Sequence, residues 1–167
     1  MFIMLGALIF FIVSLLAQIN PPTEQEKQHR PGNVVASISW PAGADDVDMW
    51  LAAPGEPGVG YTNKSGKVWS LLRDDLGVVA DSTPYNFESA YTRGIPDGAY
   101  GINLHCFKCR GPVVVHVELG IAGAGKFWTG VITVAPRQAR TALRWRMQGG
   151  AFVRGSENQI YKKIGGA

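Results

Sequence analysis

The sequence predicts an all-β fold: an antiparallel β-sandwich of about nine strands, preceded by one transmembrane helix. Apolar and polar residues alternate through most of the chain, as in strands that bury one face. Turn-forming residues separate these stretches, and the 167 residues include 21 Gly and 10 Pro. Hydrophobic residues make up 46% of the chain and charged residues 17%, a composition that excludes a disordered chain and a coiled coil.

The first 19 residues are the most apolar part of the chain. No charged side chain occurs in residues 1–17, and the apolar run continues to Ile19 before Asn20-Pro21-Pro22. Nineteen helical residues span about 28 Å, close to the thickness of the hydrocarbon core of a bilayer. We therefore expect a membrane anchor over residues 1–19 with the lipid bilayer as its partner. A cleaved signal peptide and a buried helix of a soluble protein are the alternatives.

The orientation of this anchor can be interpreted in two ways. Lys27 and Arg30 follow the apolar run, and the positive-inside rule weakly favours a cytoplasmic location for them. A single short N-terminal span can nevertheless export a long domain that follows it. We expect a single-pass protein with its C-terminal domain on the periplasmic side, and the cytoplasmic orientation is the alternative.

Behind the anchor, the sequence divides into three parts. Residues 20–32 are polar and contain proline, as in a linker. Residues 33–155 carry the alternating pattern and are predicted to form the β-sandwich domain, and residues 156–167 a basic C-terminal tail. The net charge of +3 combines seven Lys/Arg and one Glu in residues 136–167 with nine Lys/Arg and twelve Asp/Glu in residues 21–135. So small a net charge gives no reason to expect nucleic acid as a partner.

Residues two positions apart define the apolar faces of the predicted strands. These faces are Val34, Ala36, Ile38 and Trp40; Val47, Met49 and Leu51; Tyr85, Phe87 and Tyr91; Tyr100, Ile102 and Leu104; Val113, Val115, Val117, Leu119 and Ile121; and Leu143, Trp145 and Met147. Gly149-Gly150 then offers a two-residue hairpin turn.

A group of acidic residues predicts a metal site. Asp46 and Asp48 are two residues apart and should share the polar face of one strand. Carboxylates at this spacing can share a hard cation such as Ca²⁺. We expect Asp46, Asp48 and Asp75 as ligands, with Asn63 or Glu88 completing the set, and no other cofactor. The alternative is that the aspartates cap turns and solvate a strand edge, since no EF-hand pattern occurs.

The two cysteines form a C-x-x-C motif, Cys106-Phe107-Lys108-Cys109, in a predicted hairpin loop between strands ending at His105 and starting at Pro112. This motif is a redox site when it opens a helix, and a four-thiolate zinc site needs a second pair. We expect a Cys106–Cys109 disulfide in an oxidising compartment. Free thiols, or a metal or redox site that includes His105, are the alternatives.

Basic residues at alternate positions predict an interaction surface near the end of the chain. Arg140, Arg144 and Arg146 are expected to share one face of a strand, with Trp145 on the other. Such a face suits phosphate, anionic lipid head groups or an acidic partner. The alternative is an edge strand protected by charge.

No pattern in the sequence predicts catalysis. The chain lacks G-x-S-x-G, H-E-x-x-H and P-loop motifs, and nothing brings together a nucleophile, a base and an orienting group. The glycine-rich stretch of residues 120–125 lies between two predicted strands, so it is interpreted as a hairpin connection. We expect no catalytic residues and no enzymatic activity.

Three segments resemble YfaP-like bacterial β-sandwich domains of unknown function. Residues 45–51 (DDVDMWL), 72–77 (LRDDLG) and 95–100 (IPDGAY) are similar to the D-V-D-L-W, R-D-x-x-G and P-G-x-Y patterns of those domains. The resemblance covers roughly residues 34–119 and extends to small phage and alphaproteobacterial proteins with one N-terminal membrane helix. The chain departs from the pattern at residues 83–88 and in its C-F-K-C insertion. The resemblance implies a β-sandwich and transfers no catalytic residue.

Together these features predict a membrane-anchored, non-enzymatic β-sandwich that binds a protein partner or a second copy of itself. The apolar span is also similar to the spans of TolR-, ExbD- and MotB-like channel subunits, but it lacks their membrane aspartate. An accessory subunit of such a channel or motor complex is therefore the first alternative. A Ca²⁺-dependent or redox enzyme is the second.

Overall fold

The computed structural model describes residues 34–76 and 86–165. The membrane helix predicted at residues 1–19 and the linker predicted at residues 20–32 lie outside these ranges. Within them, no helix is long and apolar enough to cross a membrane.

Nine strands form two antiparallel sheets in the described residues, which confirms the all-β prediction. The strands are β1 (Val34–Trp40), β2 (Asp46–Ala52), β3 (Trp69–Arg73), β4 (Asn86–Thr92), β5 (Gly98–Lys108), β6 (Val113–Ile121), β7 (Gly125–Val134), β8 (Ala139–Gln148) and β9 (Ala151–Phe152). The five-stranded sheet has the order β3-β4-β1-β6-β7, and the four-stranded sheet has the order β2-β5-β8-β9. Their inward side chains form a common core, so the arrangement is sandwich-like.

The direction of β1 distinguishes the two ends of the sandwich. Val34 pairs with Ile121 beside the β6–β7 turn, whereas Trp40 pairs with Asn86 at the start of β4. We call these the Val34 end and the Trp40 end. Because only five residues join β1 to β2, β2 begins at the Trp40 end and runs back towards the Val34 end.

The alternation that predicted the strands holds in most of the core. The inward residues of β1, β2, β5, β6 and β8 are the predicted ones and are almost all buried, since burying apolar area is the main favourable term in folding. Gly149 and Gly150 both have positive φ (58° and 75°) in the β8–β9 turn, a conformation that glycine adopts without steric cost.

β4 buries the face opposite to the predicted one. Phe87 and Tyr91 are half-buried on the outer side, whereas Asn86 and Glu88 are buried. Both inward polar side chains form hydrogen bonds with backbone groups outside β4, and these bonds reduce the cost of burying them. The prediction that Tyr85, Phe87 and Tyr91 face the core is wrong for the two residues that the structure describes.

The C-terminal segment (residues 156–165) packs on the four-stranded sheet, first beside β8 and then across the outer face. Arg144 of β8 and Asn158 exchange backbone hydrogen bonds of 2.8 and 2.9 Å. The Asn103 amide donates to the Lys162 carbonyl at 2.8 Å, and Ile164 is buried. The domain therefore continues past the boundary predicted at residue 155, and residues 156–165 are not a separate tail.

Trp50 lies beneath this segment. Its side chain is 1% exposed although it projects from the outer face of β2. A Cβ added to Gly60 would lie 2.6 Å from the indole ring, and one added to Gly165 would lie closer still. Glycines on both sides therefore allow the backbone to close over the ring.

Candidate functional site

Carboxylates from three elements meet at one edge of the sandwich. There the edge strand β2 of the four-stranded sheet faces β3 and β4 of the five-stranded sheet. Asp48 on β2, Asp74 just after β3 and Glu88 on β4 each contribute one oxygen, and these three oxygens lie within 4.8 Å of one another. We call these three residues the carboxylate cluster.

Glu88 enters the cluster from the interior. Its side chain is 0% exposed, and its Oε2 accepts a hydrogen bond of 2.7 Å from the backbone N–H of Met49. β2 is an edge strand, so this N–H has no strand partner on that side. The carboxylate therefore satisfies a backbone donor that would otherwise be buried and unpaired.

Burial and mutual repulsion raise the pKa values of Asp46, Asp48 and Glu88. Desolvation, with smaller contributions from Asp46 and Asp74, raises the pKa of Asp48 to about 7. Desolvation and the neighbouring charges of Asp74 and Asp75 raise the pKa of Asp46 to about 6. The pKa of the fully buried Glu88 is raised well above its ordinary value, mainly by desolvation.

Several of these oxygens lack a hydrogen-bond donor. Among the described residues, Oδ1 of Asp46, Oδ1 of Asp74 and Oε1 of Glu88 are buried without one. The Asp74 carboxyl lies within hydrogen-bond reach of Glu88, and one of the two can donate to the other only while it holds a proton. The site therefore contains more acceptor oxygens than donors.

Basic side chains lie at its margin, among them the exposed Lys108, whose strand partner is Asp46. Lys64 Nζ is 2.9 Å from Asp74 Oδ2, and Arg73 Nη2 is 3.0 Å from Asp75 Oδ2. His105 Nδ1 lies 3.3 Å from Asp48 Oδ2, but burial lowers the pKa of this imidazole, so the contact at neutral pH is a hydrogen bond.

The predicted metal ligands are only partly brought together. Asp48 and Glu88 belong to the carboxylate cluster, and the shifted pKa of Asp46 places it in the same electrostatic environment. Asp75 instead accepts from Arg73 and from the Phe87 N–H, and the Asn63 amide donates to the Gly58 carbonyl. The sequence prediction also missed Asp74, for which the only signal was its position beside Asp75 after an apolar strand.

The cysteines form a disulfide at the Trp40 end. Cys106 and Cys109 are bonded, with their Cα atoms 5.9 Å apart. The predicted loop position is wrong for Cys106, because β5 continues to Lys108 and pairs Cys106 with Val47. Cys106 is fully buried.

The three arginines of β8 do not share a face. Leu143 pairs with Ile102, but the following pair is Thr141 with Asn103, so Ala142 is an extra residue in β8. Arg140 pairs with the buried Leu104 and donates to the Thr133 carbonyl of the other sheet at 3.1 Å. A β-bulge changes the face of every residue beyond it, and it places Arg140 on the opposite side from Arg144 and Arg146.

Arg144 instead lines a cavity with basic residues of the C-terminal segment. The cavity has a volume of about 270 Å³ and lies near the Val34 end of the four-stranded sheet. Small residues of β2 and β5 form part of its wall. Its charged lining residues are Glu56, Arg144, Lys162 and Lys163. We call this the basic cavity.

No protein-family model, curated protein or solved structure matches this chain. The resemblance to YfaP-like domains therefore stays a prediction.

Proposed function

We propose that this protein is a membrane-anchored, exported and non-enzymatic binding module that holds an acidic segment of a protein partner in the basic cavity. The observation that carries the proposal is the convergence of Arg144, Lys162 and Lys163 on one concave site. Three cations and one carboxylate, Glu56, line the cavity, and a cleft in which one sign of charge predominates concentrates ligands of the opposite sign.

The three cations are not neutralised within the cavity. The Glu56 carboxylate accepts hydrogen bonds from the N–H groups of Val68 and Trp69, at 2.7 and 3.1 Å. Among residues 34–76 and 86–165, no carboxylate forms an ion pair with the three basic side chains. Their charge is therefore available to an external anion.

The surroundings of the cavity favour a polypeptide over a small ion. Ile160 and Tyr161 precede the two lysines and are 72% and 51% exposed. Exposed apolar side chains beside basic ones suit a segment that combines acidic and apolar residues. Aromatic side chains such as that of Tyr161 are enriched in interfaces.

The disulfide supports export. Disulfides persist in oxidising compartments such as the periplasm and are rare in the cytosol. A Cys106–Cys109 bond favours the periplasmic orientation for a domain held by residues 1–19. Protease treatment of spheroplasts tests this part of the proposal: we expect the domain to be digested in intact spheroplasts, whereas digestion only after lysis would overturn export.

Binding is tested with the full chain in mild detergent and a labelled peptide of acidic and apolar residues. We expect Arg144→Gln to weaken binding roughly tenfold, the size of one charge-assisted hydrogen bond. Arg140→Gln is the matched control, because this arginine lies on the same strand but on its other side. Equal losses in the two variants, or no saturable binding by the wild type, would overturn the proposal. Inorganic phosphate is the competitor that detects a site for small anions, and displacement of the peptide by phosphate at equal concentration would also overturn it.

A further inference from the structure

We propose that the carboxylate cluster, with Asp46 beside it, binds a divalent cation of the calcium class. This inference is independent of the basic cavity, which lies towards the other end of the sandwich. The cation would connect β2 of one sheet to β3 and β4 of the other.

The spacing of the oxygens suits a shared ion. Calcium is bound by oxygen ligands at about 2.3–2.6 Å, so oxygens on opposite sides of one ion are up to about 5 Å apart. The oxygens of Asp48, Asp74 and Glu88 lie within 4.8 Å of one another. One ion between them can therefore contact all three without rearrangement of the strands.

A second observation points to a ligand. Glu88 is 0% exposed, and its Oε1 has no donor among the described residues although its Oε2 is bonded to Met49. Asp46 is 7% exposed, and its Oδ1 also has no hydrogen-bond donor among the described residues. Buried polar atoms are nearly always paired, because leaving one unpaired is costly. A cation supplies the positive partner that these oxygens lack.

The basic side chains near the site balance its charge only in part, and Lys108, the strand partner of Asp46, is exposed. Lys64 contacts Asp74, but its side chain is 56% exposed, so solvent weakens its effect on the buried oxygens. Arg73 Nη2 contacts Asp75 Oδ2, and His105 Nδ1 lies 3.3 Å from Asp48 Oδ2 as a hydrogen-bond partner. Asp46, Asp48 and Glu88 thus have no buried cationic partner among these groups.

The ligand atoms select the kind of cation. All three oxygens are carboxylate oxygens, which are hard ligands that favour Ca²⁺ or Mg²⁺ over soft metals. The cysteines are held in a disulfide and provide no thiolate for zinc. The ligands come from three separate elements around an irregular edge, and calcium tolerates irregular geometry better than magnesium does.

The test uses the full chain in mild detergent, stripped of metal with EDTA and then titrated with CaCl₂ at pH 7.5. We expect one Ca²⁺ per chain by equilibrium dialysis. A hundredfold excess over Kd should raise the unfolding temperature by roughly 5–15 °C. MgCl₂ should give a smaller shift.

Asp74→Asn is the variant of choice, because Asp74 is the most exposed member of the cluster and its replacement disturbs packing least. We expect it to lose the calcium-dependent shift and to keep its fold without metal. Glu118→Gln is the matched control, because Glu118 is a carboxylate paired with Lys126 on the surface of β6 and should leave the shift intact.

Two results would overturn the proposal. One is an unfolding temperature of the wild type that does not respond to CaCl₂ up to about 10 mM, above the range of weak extracellular sites. The other is an Asp74→Asn protein that binds calcium as the wild type does. A wild type insensitive to calcium but strongly stabilised by acid would identify a shared proton instead.

Discussion

Glu88 on β4 accepts the backbone N–H of Met49 on β2, and this bond of 2.7 Å joins the interior of one sheet to the open edge of the other. The Glu88 carboxylate thus has two roles. One oxygen accepts the backbone N–H of the edge strand, and the other faces the other two carboxylates of the cluster. Substitutions can separate them.

Glu88→Gln should retain the edge bond and remove the charge. In metal-free protein we expect the free energy of unfolding to stay within about 1 kcal/mol of the wild type, because the amide oxygen still accepts from Met49. Glu88→Ala should cost about 3 kcal/mol, since it leaves a buried N–H unpaired and opens a cavity. Urea denaturation at pH 7.5 in EDTA measures both values. Equal costs for the two variants would contradict the role of the edge bond.

Without metal, the domain should lose stability as the pH rises from about 4 to 7. Burial raises the pKa of Asp48 to about 7, so in this range the native state holds protons that the unfolded chain has released. We expect a loss on the order of 3 kcal/mol for this group, measured by urea denaturation in EDTA at several pH values. Asp48→Asn should flatten the profile.

Other charged groups lie around Asp48. Those that interact with Asp48 itself are Asp46, Asp74, Glu88 and His105, and those that interact with the neighbouring acids are Asp75, Lys64, Arg73 and Lys108. The raised pKa values of Asp46 and Glu88 add to the same trend. A wild-type profile that rises from pH 4 to 7 in EDTA would contradict the burial of protonated carboxyls. Saturating calcium should reverse the trend, because it binds the ionised form.

Reduction of the disulfide should weaken the domain without unfolding it. Cys106 and Cys109 close a loop of only four residues, and a loop of this length restricts the unfolded chain by about 2 kcal/mol. Urea denaturation with and without a thiol reductant should show a difference of this size or less. The Cys106→Ala/Cys109→Ala variant should not respond to reductant, and complete unfolding of the wild type on reduction would refute the prediction.

Gly60→Ala should destabilise the outer face of the four-stranded sheet. The added methyl group would lie 2.6 Å from the Trp50 ring, and overpacking of this kind costs about 1–3 kcal/mol. Gly111→Ala is the control, because nothing lies within 4 Å of its added Cβ. The unfolding temperatures of the two variants should differ by several degrees. Equal unfolding temperatures would show that the segment over Trp50 moves aside without an energetic cost.

The local sequence pattern was sufficient to predict most strands because their inward residues are apolar at every second position. The prediction of which side chains share a face failed where a single extra residue changes the register. The bulge at Ala142 leaves Arg140, Arg144 and Arg146 at alternate positions in the sequence, yet Arg140 faces the other way. A bulge is stabilised by contacts between strands, so one strand's pattern does not reveal it.

The carboxylate cluster shows a second limit of prediction from sequence. Asp48 could be proposed as a ligand because Asp46 lies two positions away on the same strand. Asp74 follows β3 and Glu88 lies on β4, and only the pairing of β3 with β4 places them opposite β2. Glu88 also lies on the face of β4 that sequence pattern assigned to solvent. Its burial depends on Met49, a partner 39 residues away.

The direction of β1 has a consequence for a domain tethered by its N-terminal side. The first strand begins at Val34, so in the anchored arrangement that we propose we expect this pole of the sandwich to be the membrane-proximal one. The basic cavity then lies near the lipid surface, where anionic head groups would compete with a partner's acidic side chains. The carboxylate cluster and the disulfide would then lie towards the membrane-distal pole, where a calcium ion would be reached from the bulk solution.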